Sequence, residues 1–229
     1  MKLEIIATTL KEAKDIELAG ADRIELVTGI KEGGLTPSIG LIKQVTETVK
    51  IPVVVMLRPH SKSFVYDSYD KKVILDDLEE IKKTKSYGIV FGCLTKDGNI
   101  DHDLLKEVIK NKGHLKITFH RAIDVAKDTI KAYSELRDYK IDTILTSGGF
   151  SNALEGRDII NQMVKLGYSN ILAGSGLSPD NIEEFINNSL VNEVHMGSGV
   201  KFRKDNLAEI DLDLIKKVKD ILNEKGNNI

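Results

Sequence analysis

Lys116-Ile117-Thr118-Phe119-His120-Arg121-Ala122-Ile123-Asp124 opens as a β-strand and ends in a cluster of polar groups. Branched and aromatic residues fill its first half. Alternation puts Thr118 and His120 on one face, with Ile117 and Phe119 on the other. Its C-terminal end therefore gathers a proton carrier, a fixed cation and a carboxylate, groups suited to binding or transforming a small polar molecule. A lone strand of this kind fits a structural hydrogen-bond network equally well. The same design recurs along the chain, and the recurrence decides the fold.

Strand-like runs read at residues 3–7, 23–27, 52–57, 88–92, 142–146, 170–173 and 193–196, besides the one above. Helical stretches separate them. Thr9-Leu10-Lys11-Glu12 reads as a capping box opening a helix that Gly20 closes, and Thr36-Pro37 starts the next. Further helices are expected within 70–85, from about Asp101, after Asp128, over 152–166 and from Pro179. The last helix carries Leu212, Ile215, Val218 and Leu222 on one face, the spacing that packs on a barrel wall. Eight strands alternating with helices at roughly 28 residues per unit predict an α/β fold, a single (β/α)8 TIM barrel. It is expected to span residues 1–229 as one domain, with a frayed tail at 224–229. Tight turns such as Ala19-Gly20-Ala21-Asp22 and Leu166-Gly167-Tyr168-Ser169 precede strands and mark the barrel's bottom. The long loops at 28–36 and 59–69 follow strands and fall at the top, the face that carries chemistry in such barrels.

The 229 residues are 41% hydrophobic and 30% charged with a formal net charge of −2, an ordinary soluble composition without a basic stripe for nucleic acid. No apolar run approaches the ~20 residues that span a bilayer, and the acid within Met1-Lys2-Leu3-Glu4-Ile5-Ile6 is unlike a signal peptide. Cys93 is the only cysteine, so no internal disulfide or cysteine zinc cage forms, and a cytoplasmic location is expected.

The strand ends supply the candidate site. Glu25, Arg58, His60, His120, Arg121, Asp124, Thr146, Ser147, His195 and Ser198 fall at the rim, with Glu4 somewhat deeper. Their competing reading is a set of buried ions in which Glu4 and Glu25 pair with Arg23, Arg58 or Arg121. As a catalytic set, Asp124 turns back to a ring nitrogen of His120 and Glu25 is the second proton-transfer group. Arg58 and Arg121 hold a substrate anion, and Thr146, Ser147 and His195 complete substrate binding. Gly174, Gly176, Gly197 and Ser198, in the glycine turns after the last two strands, read as an anion or phosphate site. Asp180 at the following helix start competes for that positive end.

His60, His120 and His195 with Glu25 offer a metal set, but no H-x-H pair or H-E-x-x-H helix supports it. The metal assignment stays open. Cys93 is the one thiol available to it and reads as a small buried hydrophobe. No G-x-S-x-G, Walker lysine or G-x-G-x-x-G after the first strand is present, which argues against a serine hydrolase, an NTPase or a dinucleotide enzyme.

Asp22-Arg23-Ile24-Glu25-Leu26, Glu32-Gly33-Gly34-Leu35-Thr36-Pro37-Ser38, Met56-Leu57-Arg58-Pro59, Val90-Phe91-Gly92, Thr118-Phe119-His120-Arg121-Ala122, Leu145-Thr146-Ser147-Gly148 and Ala153-Leu154-Glu155-Gly156 come in one order over almost the whole chain. In that order they resemble the CutC family. The resemblance implies a cytoplasmic TIM barrel, a homo-oligomer (dimer or tetramer), a part in copper homeostasis and binding of copper(I). It matches rim residues Glu25, Arg58, His120, Arg121 and Asp124. Val27 stands where many members of the family carry cysteine, and copper(I) prefers thiolate and thioether ligands. Two functions follow: a copper-handling protein without turnover, or an enzyme (isomerase, lyase or hydrolase) acting on a small anionic or sugar-like substrate.

Overall fold

The computed structural model describes residues 1–226. Strands β1 (Lys2–Ala7), β2 (Arg23–Leu26), β3 (Val53–Met56), β4 (Gly88–Phe91), β5 (Lys116–Phe119), β6 (Thr143–Thr146), β7 (Asn170–Ala173) and β8 (Glu193–Met196) pair in chain order, and β8 closes on β1. Every pairing is parallel. Helices α1 (Leu10–Leu18), α2 (Ile39–Thr48), α3 (Ser68–Lys82), α4 (His102–Asn111), α5 (Thr129–Leu136), α6 (Arg157–Leu166), α7 (Ile182–Asn187) and α8 (Leu212–Gly226) surround them. This is the expected (β/α)8 barrel.

Strand alternation builds two cores. Outward residues such as Ile24, Val55, Ile89, Ile117 and Ile144 join helix residues such as Ile16, Ile42, Leu78, Leu105 and Val218 in one large apolar layer. Each such side chain, fully buried, contributes about 1.5–3 kcal/mol. Inside the barrel the apolar part is smaller: Val27, Val54, Met56 and Val90, on the side of β2 to β4. The side formed by β8, β1 and β2 is charged, and this asymmetry positions the site.

Local differences from the sequence reading have specific causes. Thr9 caps α1 by accepting from Glu12 N–H at 3.1 Å, but the Glu12 carboxylate returns to Thr8 N–H at 2.6 Å rather than closing a box. Helix α6 begins at Arg157, not near Asn152, because residues 151–156 fold as turns against Ser147, where a Cβ on Gly156 would lie 1.8 Å from the Ser147 carbonyl. Helix α7 begins at Ile182, since the Asn181 side chain instead accepts from Ser178 N–H at 2.9 Å and holds a turn. Helix α8 continues through Gly226, over the start of the tail expected to fray, and 227–229 lie outside the described residues. No described helix is long and apolar enough to cross a membrane.

Candidate active site

Paired residues of neighbouring parallel strands share a face, and the registers Glu4↔Arg23, Glu4↔His195 and Ile6↔Glu25 bring charged side chains together inside the barrel. They form one row of alternating charge. At the bottom, the Lys2 ammonium, on a side chain 64% exposed, lies 3.3 Å from Glu193 Oε1. Arg23 Nη2 donates to Glu193 Oε2 at 2.7 Å, and Arg23 Nε donates to Glu4 Oε2. Glu4 Oε1 is 2.8 Å from His195 Nδ1, and the ring's Nε2 stands 3.7 Å from Glu25 Oε2. Glu25 Oε1, at the upper end, is buried without a partner.

The row separates two carboxyl groups by environment. Burial would raise Glu4, but the Arg23 charge and then the hydrogen bond from His195 hold it down at about 2. Glu25 lacks such support: burial pushes it up to about 7, against the His195 charge and with the Glu4 charge. Burial would lower the His195 ring, yet the charge of Glu25 and the bond to Glu4 raise it. Glu4 is thus a fixed anion that directs His195 Nδ1–H toward itself. Glu25 and His195 Nε2 form a coupled pair just outside hydrogen-bond reach, a spacing that a bound ligand can tighten. The competing reading of the sequence pairs these carboxylates with arginines. Arg23 does pair Glu4, while Glu25 faces a histidine.

His120 follows β5 and caps a short 3-10 turn over Arg121–Val125. Ala122 N–H donates to His120 Nδ1 at 3.2 Å, so the neutral ring carries its proton on Nε2. Burial, then the Arg58 charge, lower this ring to about 3. Gly92 makes room for it, since a Cβ there would come within 2.5 Å of Nδ1. The Phe64 ring covers it at 4.8 Å between centres, and Nε2 has no partner.

Asp124 does not reach His120. Its carboxylate accepts from Arg121 Nε at 2.8 Å, Ser147 N–H at 2.9 Å, Ser147 Oγ at 3.0 Å, Gly149 N–H at 3.1 Å and the Thr146 hydroxyl. The 3-10 turn aims it at the loop after β6, and the proposed tautomer-fixing role passes to Ala122 N–H. Asp124 is a loop anchor. Arg58 is similarly engaged: Nη1 donates to the carbonyls of Glu32 and Gly34 at 3.2 Å, and the guanidinium lies 4.6 Å over Phe64. It lines the mouth with Nε unpartnered, but much of the grip expected for a substrate anion holds the loop after β2 instead.

The mouth is a cavity of about 400 Å³. Of the expected residues, Glu25, Arg58, His120, Arg121, His195, Gly176, Gly197 and Ser198 line it; Asp124, Thr146, Ser147 and Gly174 do not. Alternation gives the reason for β6: Leu145 takes the inward position and lines the cavity, leaving Thr146 behind the wall. Gly174 packs beneath, where a Cβ would meet Leu145 Cδ1 at 2.7 Å. The glycines of the last two loops also let backbones meet, a Cβ on Gly199 falling 2.1 Å from the Leu177 carbonyl. Helix α7 has six residues, too short to lend the expected anion site a strong terminal dipole. Met56, Phe64, Asn181, Lys204 and Asn206 line the cavity without having been singled out. Phe64 lies in a long top loop, the one signal that marked it.

His60 sits outside the cavity, 3.1 Å from Asp70 at the start of α3. Cys93 is buried elsewhere, its thiol donating to the Asp101 carbonyl at 3.4 Å; burial and then the Asp101 charge raise it well above the usual thiol range. Among the described residues, no group of three or more His, Cys, Asp or Glu is arranged to hold a metal ion.

The sequence profile of the CutC family matches residues 1–200. A human relative described as a copper homeostasis protein cutC homolog is 36% identical over 214 residues, covering 90% of this chain and 78% of its own. A CutC family protein of Treponema denticola is 39% identical, covering 86% of this chain and 81% of its own. The solved CutC structure from Streptococcus agalactiae superposes with a TM-score of 0.81 at 26% identity, over 85% of this chain and 97% of that one. Thiamine phosphate pyrophosphorylase from Pyrococcus furiosus, at TM-score 0.67 and 13% identity over 97% of this chain and 96% of that one, shares the barrel fold alone. On sequence and structure together, the chain belongs to the CutC family.

Proposed function

We propose that this CutC protein is an enzyme whose mouth performs proton transfer on a small polar, anionic or sugar-like molecule. The observation that carries this is Glu25: a carboxyl pushed up to about 7, with one oxygen unpartnered, beside a histidine oriented by a second, permanently ionised carboxylate. Two carboxyl groups driven apart by their surroundings is the usual arrangement of an acid–base site near neutral pH. Arg121, 41% exposed in its side chain, and the hydroxyls and amides of the last two loops add polar contacts around the mouth.

The test uses the full-length protein labelled on its histidine rings and titrated with inorganic phosphate, ribose 5-phosphate and dihydroxyacetone phosphate. Saturable shifts are expected at His120 and His195, with His102 and His114 unmoved. If none of the three moves His120 or His195, the reading fails.

Copper, named in the descriptions of the relatives, calls for soft donors. The residues here do not fit a tight copper(I) site. The one thiol, on Cys93, is buried away from the cavity, and the mouth offers the Met56 thioether and two imidazoles. Competition against a copper(I) chelator should therefore show weak binding, unchanged by Cys93→Ser. Val27→Cys should strengthen binding by at least tenfold, because residue 27 packs beside Met56 inside the barrel. Sub-picomolar binding by the native chain, lost on Cys93→Ser, would favour copper as its cargo.

A further inference from the structure

We infer that the substrate is a carbonyl compound with an acidic α-C–H, from which Glu25 removes a proton while His120 Nε2–H holds the carbonyl oxygen. This rests on the proton-transfer reading above and specifies its chemistry. The argument begins with the tautomer. The Ala122 N–H donates to His120 Nδ1 at 3.2 Å, which leaves the opposite nitrogen as an N–H donor without a partner. Gly92 and Phe64 clamp the ring in that pose from two sides. Burial, and then the Arg58 charge beside it, disfavour a second proton, so the imidazole stays neutral across physiological pH. Such a ring is a poor donor of a whole proton but a good hydrogen-bond donor to an oxygen gaining negative charge. A carboxylate base paired with a neutral imidazole electrophile is the arrangement that enolising barrels use.

The alternatives lack their groups. A two-carboxylate glycoside mechanism needs a second free carboxyl, but Glu4 is held ionised behind His195 by Arg23. A Schiff base needs a buried lysine in the cavity. Lys204 lines it, but is 57% exposed and paired with Asp180, and the buried Lys201 pairs with Glu12. A thiol nucleophile is absent from the mouth, Cys93 being buried elsewhere.

The step balances without an oxidant or reductant. The α-proton passes to Glu25; the C–H electron pair becomes the C=C bond of an enolate; the carbonyl π pair moves to oxygen and accepts the His120 hydrogen bond. Return of a solvent proton to the same carbon gives exchange; where the α-carbon also carries a hydroxyl, loss of that O–H proton, its gain by the former carbonyl oxygen and protonation of the neighbouring carbon give isomerisation. His195, next to Glu25, is placed to pass that proton to solvent.

The experiment incubates the full-length protein in D2O with hydroxyacetone, dihydroxyacetone phosphate and pyruvate, and follows loss of α-C–H signal by NMR. Exchange of at least one above the buffer rate is expected. Glu25→Gln should return it to background. His120→Gln should lower it by about 10²–10³-fold, as loss of an oxyanion donor does. Gly92→Ala, which displaces the ring, should lower it too. As a readout that needs no variant, glycolohydroxamate, an enolate mimic, should shift the His120 Nε2–H resonance while the ring keeps a single proton from pH 5 to 8. No exchange with any of the three compounds overturns the inference. So does a His120 ring that takes a second proton in that range, or one whose resonance glycolohydroxamate leaves unmoved. Ligands that move the His120 and His195 resonances without exchange would sink this inference and leave the broader reading standing. Absence of both would sink the two together.

Discussion

Arg23→Met should destabilise the fold by about 3–5 kcal/mol, the cost of breaking a buried ion pair from one side. The guanidinium bridges Glu4 and Glu193 inside the barrel, and all three residues are buried. Its removal leaves the buried Glu4 with His195 alone and Glu193 with Lys2 alone. The sign with pH follows from Glu4. Its folded value of about 2 lies below the ordinary 4.5, so its contribution is fully present above pH 4.5 and is lost as pH falls toward 2. Without Arg23 the largest cause of that depression is gone, and the variant should lose most relative to the native protein near neutral pH. Urea unfolding at pH 7 measures the loss. The double variant Glu4→Gln/Arg23→Met should recover part of it, since the two changes are not additive across a direct contact. A single-variant loss under about 1 kcal/mol would mean that the row contributes little to the folded state.

Glu25→Gln should do the opposite above neutrality, raising stability while abolishing proton transfer. Here the folded value, about 7, lies above the ordinary 4.5. The native carboxyl therefore favours folding fully below pH 4.5, and that contribution is lost as pH rises through 7. The interval corresponds to about 3 kcal/mol at ~1.4 kcal/mol per pH unit. His195, also raised, loses its contribution in the same direction. His120, lowered to about 3, acts oppositely, with stability present above 6.5 and lost as pH falls toward 3. The raw pH profile mixes these three, and the difference between native protein and Glu25→Gln reports Glu25 together with its effect on His195, leaving His120 out. It should grow from near zero below pH 4.5 to its full size by pH 8, in favour of the variant. A variant less stable than the native protein at pH 8 would show that Glu25 is ionised and well solvated by partners.

The strands and their order were legible because short apolar runs and turn residues are local signals, as in Val53-Val54-Val55-Met56 or at Gly167. The rim was legible for a related reason: His120, Arg58 and Glu25 are polar residues at the ends of apolar runs. Pairing was not legible. Glu4 and His195 are separated by 191 positions and meet only because β8 closes on β1. Asp124 lies four residues from His120, and sequence distance favoured that contact; the 3-10 turn sent the carboxylate to Ser147, 23 positions away. Thr146 and Ser147 were counted as mouth residues by closeness to a strand end, where parity alone assigned the inward place to Leu145.

The charged row also bears on how the barrel finds its correct closure. Glu4 stands opposite both Arg23 and His195, on the two strands that flank β1. A slip of one residue in β8 would turn every one of its side chains to the other face and set Val194 or Met196 where His195 belongs. Glu4 would then keep one partner, and Glu25 would lose its only charged neighbour from β8. An apolar seam tolerates such a shift far better, since one branched aliphatic side chain replaces another at modest cost. The seam between the first and last strands is thus one in which misalignment costs more than in an apolar seam, and Glu25 meets His195 only when it is right.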